Sequence, residues 1–414
     1  MAEHGDRERM IELRPFRAWR PTADKAHLVG TRSFVSYTAQ QLAEKLAGNP
    51  YTFLHVVHPD EGLTPDLTRS ERFHRTRVAF KAFCDEDVVV RDPEPCIYIY
   101  EQTGRGNLSR GIITGVSVKA YQEGKVKVHE QTLTARETLF TEYLQHTGIN
   151  AEPVLLTTPE GTGWESLLDP YLNTRPDHDF TTTDRVRHRL WAVADPKFRE
   201  DLQRRFSELP ALYIADGHHR MASSARLALT SGSTDVDPSA WCLAFIVPRS
   251  QLYIYNYDRA VTTMNGLSNE QLLNELSKVG ELTQVSSPYA APGIVAVRDQ
   301  HNWYTLRLPT SPESASPVSK LDAARLSELV LGPILGIHDL RTDPNIKFIP
   351  GINGTRALDE IVENGNAVLA FHLFPVSFDE LKNVADTGGT MPPKSTYIEP
   401  KLRSGLTVYS LEDV

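Results

Sequence analysis

The chain has 414 residues, 40% of them hydrophobic and 23% charged. That length asks for two or three subdomains rather than one small core, and the mix excludes a disordered chain. The formal net charge of −9, with no long run of Lys or Arg, speaks against a nucleic-acid partner.

Residues 1–10 read as a loose tail, polar and charged, without the apolar core of a signal peptide. Ordered structure is expected from Ile11 onward. Positions 38–47 have helical spacing, with Leu42, Ala43 and Leu46 on one side, and Gly48-Asn49-Pro50 stops the helix. Residues 51–57 are expected as a strand. Residues 96–100, aromatic and β-branched, predict another strand. A turn over 103–109 and a return strand over 111–118 follow. Gly104-Arg105-Gly106 is read as the hairpin turn, because its spacing matches no nucleotide fingerprint. Helices are expected at 134–145, 195–209, 267–276 and 357–364. Short apolar strands are expected at 212–215 and 243–247. Loops at 286–292 and 311–317 bracket a strand pair, 293–298 and 303–308.

Strands alternate with helices through much of the chain, which predicts an α/β fold with mixed α+β layers. The expected organisation is a tail at 1–10 and a mixed-sheet core at 11–260. An inserted α/β subdomain follows at 261–320, and a C-terminal segment at 321–414 completes the site. Cys84, Cys96 and Cys242 form no C-x-x-C pair, which argues against a disulfide framework or a zinc ribbon. No apolar run approaches a membrane span. The expectation is a cytoplasmic protein with no membrane partner.

The strongest local signal lies between the predicted strand 212–215 and a predicted helix at 221–229. Asp216, Gly217, His218, His219 and Arg220 stand there in one turn. A helix N-terminus leaves backbone N–H groups unpaired and, with its dipole, favours an anion. Gly217 allows a tight turn or a close backbone approach. Arg220 can fork onto phosphate oxygens. Asp216 can hold a metal ion or orient a histidine, and His218 and His219 can donate to phosphate or carry a proton. The bland alternative is a capped helix with a surface ion pair and histidines bonded to backbone carbonyls.

Gly217-x-x-Arg220 between a strand and a helix resembles the phosphate-binding box of the ParB/sulfiredoxin superfamily. With Asp216 and His218 it is similar to that of the superfamily's free-serine kinases. Sulfiredoxins carry a cysteine after the glycine; His218 stands there in this chain. A narrower resemblance spans nearly the whole chain, to a prokaryotic family of unassigned function numbered one thousand and fifteen in the domain-of-unknown-function series. It is carried by Arg14-Pro15-Phe16-Arg17-Ala18, the run from Gly48 to Val56, His129-Glu130-Gln131-Thr132, Asn150-Ala151-Glu152-Pro153-Val154 and His188-Arg189-Leu190-Trp191. It continues through the loop at Asp216, the run from Asp339 to Pro344, and the run from Met391 to Lys401. Two departures stand out. An early Pro-Pro-Tyr-Asp or Arg-Pro-Tyr-Asp turn is replaced by Thr31-Arg32-Ser33-Phe34-Val35, which keeps Arg32 and loses the acid. The His-Glu segment continues with Leu133 and Leu139-Phe140 rather than a basic residue and an Asp-Arg pair.

Other groups join the candidate site. His129 and Glu130 lie between a strand and a helix, where a carboxylate beside a histidine suits a general base or a metal site. Arg189 can reach a phosphate or form an ion pair. Lys394 beside Ser395 and Thr396 can bind phosphate as a point charge. Asp339, Arg341 and Asp343 are read as a salt-bridge network or a metal site. The resemblance implies a ParB/sulfiredoxin-like mixed-sheet core and a small-molecule kinase. The expected reaction makes O-phosphoserine from free L-serine, with a nucleoside phosphate or pyrophosphate as donor and Mg²⁺. Asp216, His218, His219 and Glu130 are the expected catalytic residues. Gly217, Arg220, Arg189, Lys394, Ser395 and Thr396 are expected to hold the donor, and Arg32 and His129 the acceptor. No dedicated metal ligands are assigned. The expected partner is a small molecule, with a homodimer as the assembly considered. The alternative is a ParB-like nucleotide-binding switch with little turnover.

Overall fold

A computed structural model of the chain describes residues 10–58 and 67–412. The predicted tail, except for Met10, lies outside the described residues. The chain divides into two compact units. One comprises residues 1–127, 132–252 and 400–414; the other comprises 128–131 and 253–399.

The first unit is built on a nine-stranded mixed sheet. From one edge the order is Val126–Lys127, Leu212–Asp216, Val154–Thr158, Trp241–Pro248, Asn107–Ser117, Ile97–Gly104, Arg187–Val193 and His178–Thr181. Leu13–Arg14 also pairs with Asn107–Ser117. The pairings of Leu212–Asp216 with Val126–Lys127, and of Trp241–Pro248 with Val154–Thr158, are parallel. The rest are antiparallel, so the sheet is the mixed one predicted. All eight residues of Trp241–Pro248 are buried. A strand covered on both faces reads as a continuous apolar run, which is why 243–247 was visible in the sequence.

Most predicted elements of this unit are present. The helices are Ala39–Gly48, Thr134–Thr147, Pro196–Ser207 and His218–Ser231. Asp195 caps the third by accepting from Lys197 N at 2.9 Å, with Pro196 in its first turn. The hairpin turn falls on Arg105 and Gly106, both at positive φ. Val118 ends no strand; it opens a helix, Val118–Gln122, capped by Ser117. The expected strand at 51–57 is instead a turn followed by the helix Leu54–Val57. Phe53, Leu54 and Val56 are all fully buried. Leu54 and Val56 are buried within the helix and Phe53 at its start. Tertiary burial overrides the β propensity of the segment. The helix Arg69–Asp85 had no counterpart in the sequence reading.

The second unit is a seven-stranded sheet, and every pairing in it is antiparallel. Its order is Glu281–Val285, Trp303–Arg307, Ile294–Arg298, Leu369–His372, Tyr253–Val261 and Ile346–Pro350, with Thr396–Glu399 also paired to Tyr253–Val261. The predicted strand pair is found, with Val297 opposite Tyr304. The helices expected at 267–276 and 357–364 are Asn269–Val279 and Arg356–Glu363. Leu272, Leu276, Val295, Val297, Leu306 and Phe371 form part of one core beneath this sheet. Among the described residues, no helix is long and apolar enough to cross a membrane.

Candidate functional site

In the first unit the strand Leu212–Asp216 runs directly into the site. Its register against Val154–Thr158 shifts between Ile214 and Asp216, leaving Ala215 unopposed. Such a bulge resets the alternation of side chains, here one residue before the loop. Gly217 then takes φ +98°, the left-handed region. The helix His218–Ser231 starts at once, and no side chain caps its N-terminus.

Arg220 lies directly beneath Gly217. A Cβ built on Gly217 would stand 2.8 Å from Arg220 Nη2 and 3.0 Å from its Nε. Glycine is therefore required twice, by backbone conformation and by this close approach. Arg220 Nη1 donates to Glu152 Oε1, and Nη2 donates to Asp216 Oδ2 at 3.1 Å. Burial works against the Arg220 charge, but Glu152 and Asp216 outweigh it and raise its pKa. Arg220 Nε is buried without an acceptor. Lys401 Nζ lies 3.8 Å from Asp216 Oδ1, and Ser404 Oγ donates to Glu152 Oε2 at 3.3 Å. Two carboxylates and two cations thus alternate around the loop.

His218 is buried at the first helical position. His219 Nε2 accepts from Leu133 N at 3.1 Å, the backbone N–H just before the helix Thr134–Thr147. That bond places the proton of the neutral ring on Nδ1. Burial pulls the His219 pKa down, and nearby Arg136 adds to the effect. Ser223 Oγ donates to His219 O at 2.6 Å and Ser224 Oγ to Arg220 O at 3.0 Å, so hydroxyls brace the first turns from inside. Burial pushes the thiols up, Cys84 to about 12 and Cys96 and Cys242 to about 11, which disfavours the thiolate at each.

Arg189 and Arg32 also lie in the first unit. Arg189 Nε donates to Glu101 Oε1 at 2.7 Å, and Arg110 Nε donates to Glu101 Oε2 at 2.8 Å. Glu101, 2% exposed, is clamped between two guanidiniums. Arg32 has no ion-pair partner among the described residues, and its neighbour Thr31 bridges Ser404 through backbone bonds in both directions.

His129, Glu130, Lys394, Ser395 and Thr396 belong to the second unit. His129 is buried and Glu130 half-buried. The carbonyl of His129 accepts from Met391 N at 2.9 Å, and Gln131 Oε1 accepts from Arg341 Nη2 at 3.1 Å. Three distant segments of sequence meet there. Lys394 stands at φ +56°, with its Nζ 5.3 Å from the centre of the Tyr257 ring. Ser395 Oγ donates to Pro392 O at 2.7 Å, and Ser395 lines a cavity of about 370 Å³ with Asp322, Arg325 and Phe374. Thr396 pairs with Asn256. Asp339 accepts from Arg341 N and Thr342 Oγ1, and Asp343 from Asn345 N, so these acids close local turns. Among the described residues, no three His, Cys, Asp or Glu side chains converge as a metal would need.

A profile described as "Protein of unknown function (DUF1015)" matches residues 13–324. The chain belongs to the DUF1015 family. No curated protein matches it. Among solved structures it is similar to a free serine kinase in complex with AMP, at 15% identity over 71% of this chain and 91% of that one, with a TM-score of 0.38. It is also similar to SbnI with a C-terminal truncation from Staphylococcus aureus, at 13% identity over 72% and 87%, TM-score 0.39. A conserved hypothetical protein from Pyrococcus furiosus is 15% identical over 73% and 96%, TM-score 0.36.

Within this DUF1015 chain the sequence reading gave no role to three residues that reach the loop: Glu152, Lys401 and Ser404. Glu152 and Lys401 stood inside segments that matched the family pattern. That match was the signal for them, since nothing local marks either as a partner of Asp216 or Arg220. Ser404 lies just beyond the last matched segment.

Proposed function

We propose that this DUF1015 protein transfers a phosphoryl group from a nucleoside phosphate or pyrophosphate to a small hydroxylated metabolite, free L-serine first among them. The observation that carries the reading is the uncapped N-terminus of the helix His218–Ser231 behind left-handed Gly217, with the Arg220 charge held beneath it. The dipole and the N–H groups of the first helical turn favour donor phosphates at the loop.

Arg220 acts here mainly as a fixed charge under the cradle, because Glu152 and Asp216 already occupy two of its donor groups. A preorganised charge of this kind needs no reorganisation when negative charge moves on the phosphoryl group. His219 holds the start of the neighbouring helix, and its Nδ1 proton remains available to a phosphate oxygen. Hard oxygen donors suit Mg²⁺, which neutralises phosphate charge; Asp216 is the carboxylate nearest the loop that would share it. Arg32 and Arg189, in the same unit as the loop, are proposed to hold donor or acceptor.

Calorimetric titration of the purified chain with ATP, ADP and pyrophosphate tests the donor half. The expected result is binding by at least one donor that Gly217→Val abolishes in protein shown to be folded. Binding unchanged in Gly217→Val would contradict the assignment. Tight nucleotide binding with no acceptor-dependent product would favour the regulatory switch.

A further inference from the structure

The segment from Lys401 to Gly405 crosses the first unit as a strap tied down along its length. Lys401 O accepts from Gln102 Nε2 at 3.2 Å. Ser404 exchanges backbone bonds with Thr31, its N donating at 2.8 Å and its O accepting at 3.2 Å. Gly405 N donates to Ala151 O at 3.1 Å, and a Cβ on Gly405 would stand 2.5 Å from Phe53 Cγ. Between these ties Arg403 points the other way, into the unit. Its side chain is 4% exposed, and its Nη2 donates to Asp184 Oδ2 at 2.7 Å.

Asp184 belongs to a polar cluster that the proposed chemistry does not use. Thr182 Oγ1 donates to Asp184 Oδ1 at 2.6 Å and lies 3.4 Å from His188 Nε2. His188 is fully buried, stacked between the rings of Tyr100 and Phe180, with Nδ1 2.6 Å from the Tyr100 hydroxyl. A buried guanidinium without its carboxylate is costly, so the position of Arg403 is tied to Asp184. Two residues before Arg403, the same strap brings Lys401 to Asp216; one residue after it, Ser404 reaches Glu152. Arg403 thus shares one short segment with both contacts.

We propose that Asp184 is a positioning residue for donor binding: through Arg403 it anchors the strap that sets Lys401 at the mouth of the Asp216–Arg220 loop, where the Lys401 ammonium contacts the donor phosphates. This rests on the phosphate-loop reading above. Lys401 serves as the point charge for the donor because its side chain is 31% exposed, against 21% for Arg220, and its Nζ lies 3.8 Å from Asp216 Oδ1, whereas Arg220 is held by two carboxylates. Burial pushes the Asp184 carboxyl up, but Thr182 and Arg403 prevail and bring it down to about 2, so the anchor stays charged at working pH.

The test is a double-mutant cycle on the full chain, with ATP and then pyrophosphate titrated in the presence of Mg²⁺. Asp184→Asn and Lys401→Met are each expected to weaken binding about ten-fold, the loss of one charge-assisted contact. The double variant is expected to bind no more weakly than Lys401→Met alone, since Asp184 acts through Lys401. Asp184→Glu is expected to restore most of the affinity, and Asp179→Asn, an exposed pair with Arg187, to leave it unchanged. If Asp184→Asn fails to fold, Arg403→Lys carries the same expectation. Equal loss in both backgrounds, or none from Asp184→Asn, overturns the positioning role while leaving the loop assignment standing. Absence of binding by the unsubstituted protein overturns the loop assignment, and this inference with it.

Discussion

Gly217 is the residue on which the loop turns. Gly161, in the same unit, has a similar positive φ of +76° but nothing within 4 Å of a built Cβ, whereas at Gly217 Arg220 lies in the way. The left-handed conformation alone costs an alanine about 1–2 kcal/mol. Gly161→Ala is expected to lose that much, and Gly217→Ala about 1–3 kcal/mol more, because Arg220 must leave two carboxylates to make room. Urea denaturation of the two variants checks the difference, and equal losses would contradict the close packing. Legibility at this scale follows from contiguity. Asp216 to Arg220 could be read because five chemically expressive residues stand in a row between a strand and a helix. Glu152 and Lys401 could not, because what they share with the loop is a fold, not a spacing. The Arg189 guanidinium could be read in the sequence as a phosphate or carboxylate binder or as half of an ion pair; its partner, Glu101, comes from a neighbouring strand.

Elements were legible where the residues that define them are local. Thr38 with Gln41 and Ser268 with Gln271, at two of the predicted helices, form capping boxes in which each partner satisfies the other's backbone N–H; the helix Phe378–Asp386, capped in the same way by Ser377 and Glu380, had no counterpart in the sequence reading. Thr68 and Glu71 do the same for Arg69–Asp85. This 17-residue helix escaped the sequence reading because it buries only Thr76, Phe80 and Phe83, too sparse a stripe to show a helical period. A helix with so little buried surface depends on its cap. Thr68→Ala is therefore expected to destabilise the first unit by about 1 kcal/mol. Amide hydrogen exchange should show the loss concentrated in the first turns of Arg69–Asp85, and uniform loss would argue against the capping role. The segment at 51–57 was misread for the opposite reason. Its β-branched and aromatic residues suit a strand, but the segment folds as a turn and a short helix that bury Phe53, Leu54 and Val56.

At the scale of the whole molecule, acid should weaken the protein through histidines that cannot take a proton when folded. Burial, with a contribution from Arg403, lowers His188 to about 3, and burial, with a contribution from Arg20, lowers His178 to about 4. Between these values and the ordinary histidine pKa of about 6.5, the unfolded chain binds protons that the folded chain does not. Stability is therefore full above that ordinary value and falls as pH drops below it, by up to about 1.4 kcal/mol per pH unit for each histidine. Below about 4, Asp184 adds to the slope in the same direction, since its folded pKa is also depressed. Denaturant titrations from pH 7.5 to pH 4.5 measure this slope; a flat profile would contradict the burial of the two rings. The mixed sheet and its strand–loop–helix site were legible in the alternation of apolar runs with turn residues, whereas the strand order of either sheet was not, because pairing is set between segments far apart in sequence.

The central claim, phosphoryl transfer from a donor held at the Asp216–Arg220 loop, is tested most directly by phosphorus NMR of the purified protein with Mg²⁺ and L-serine, offered ATP, ADP or pyrophosphate in turn. The account predicts a new phosphomonoester signal with at least one donor, lost in Gly217→Val. Donor binding without any new phosphorus signal, in folded protein and with each donor, would contradict it.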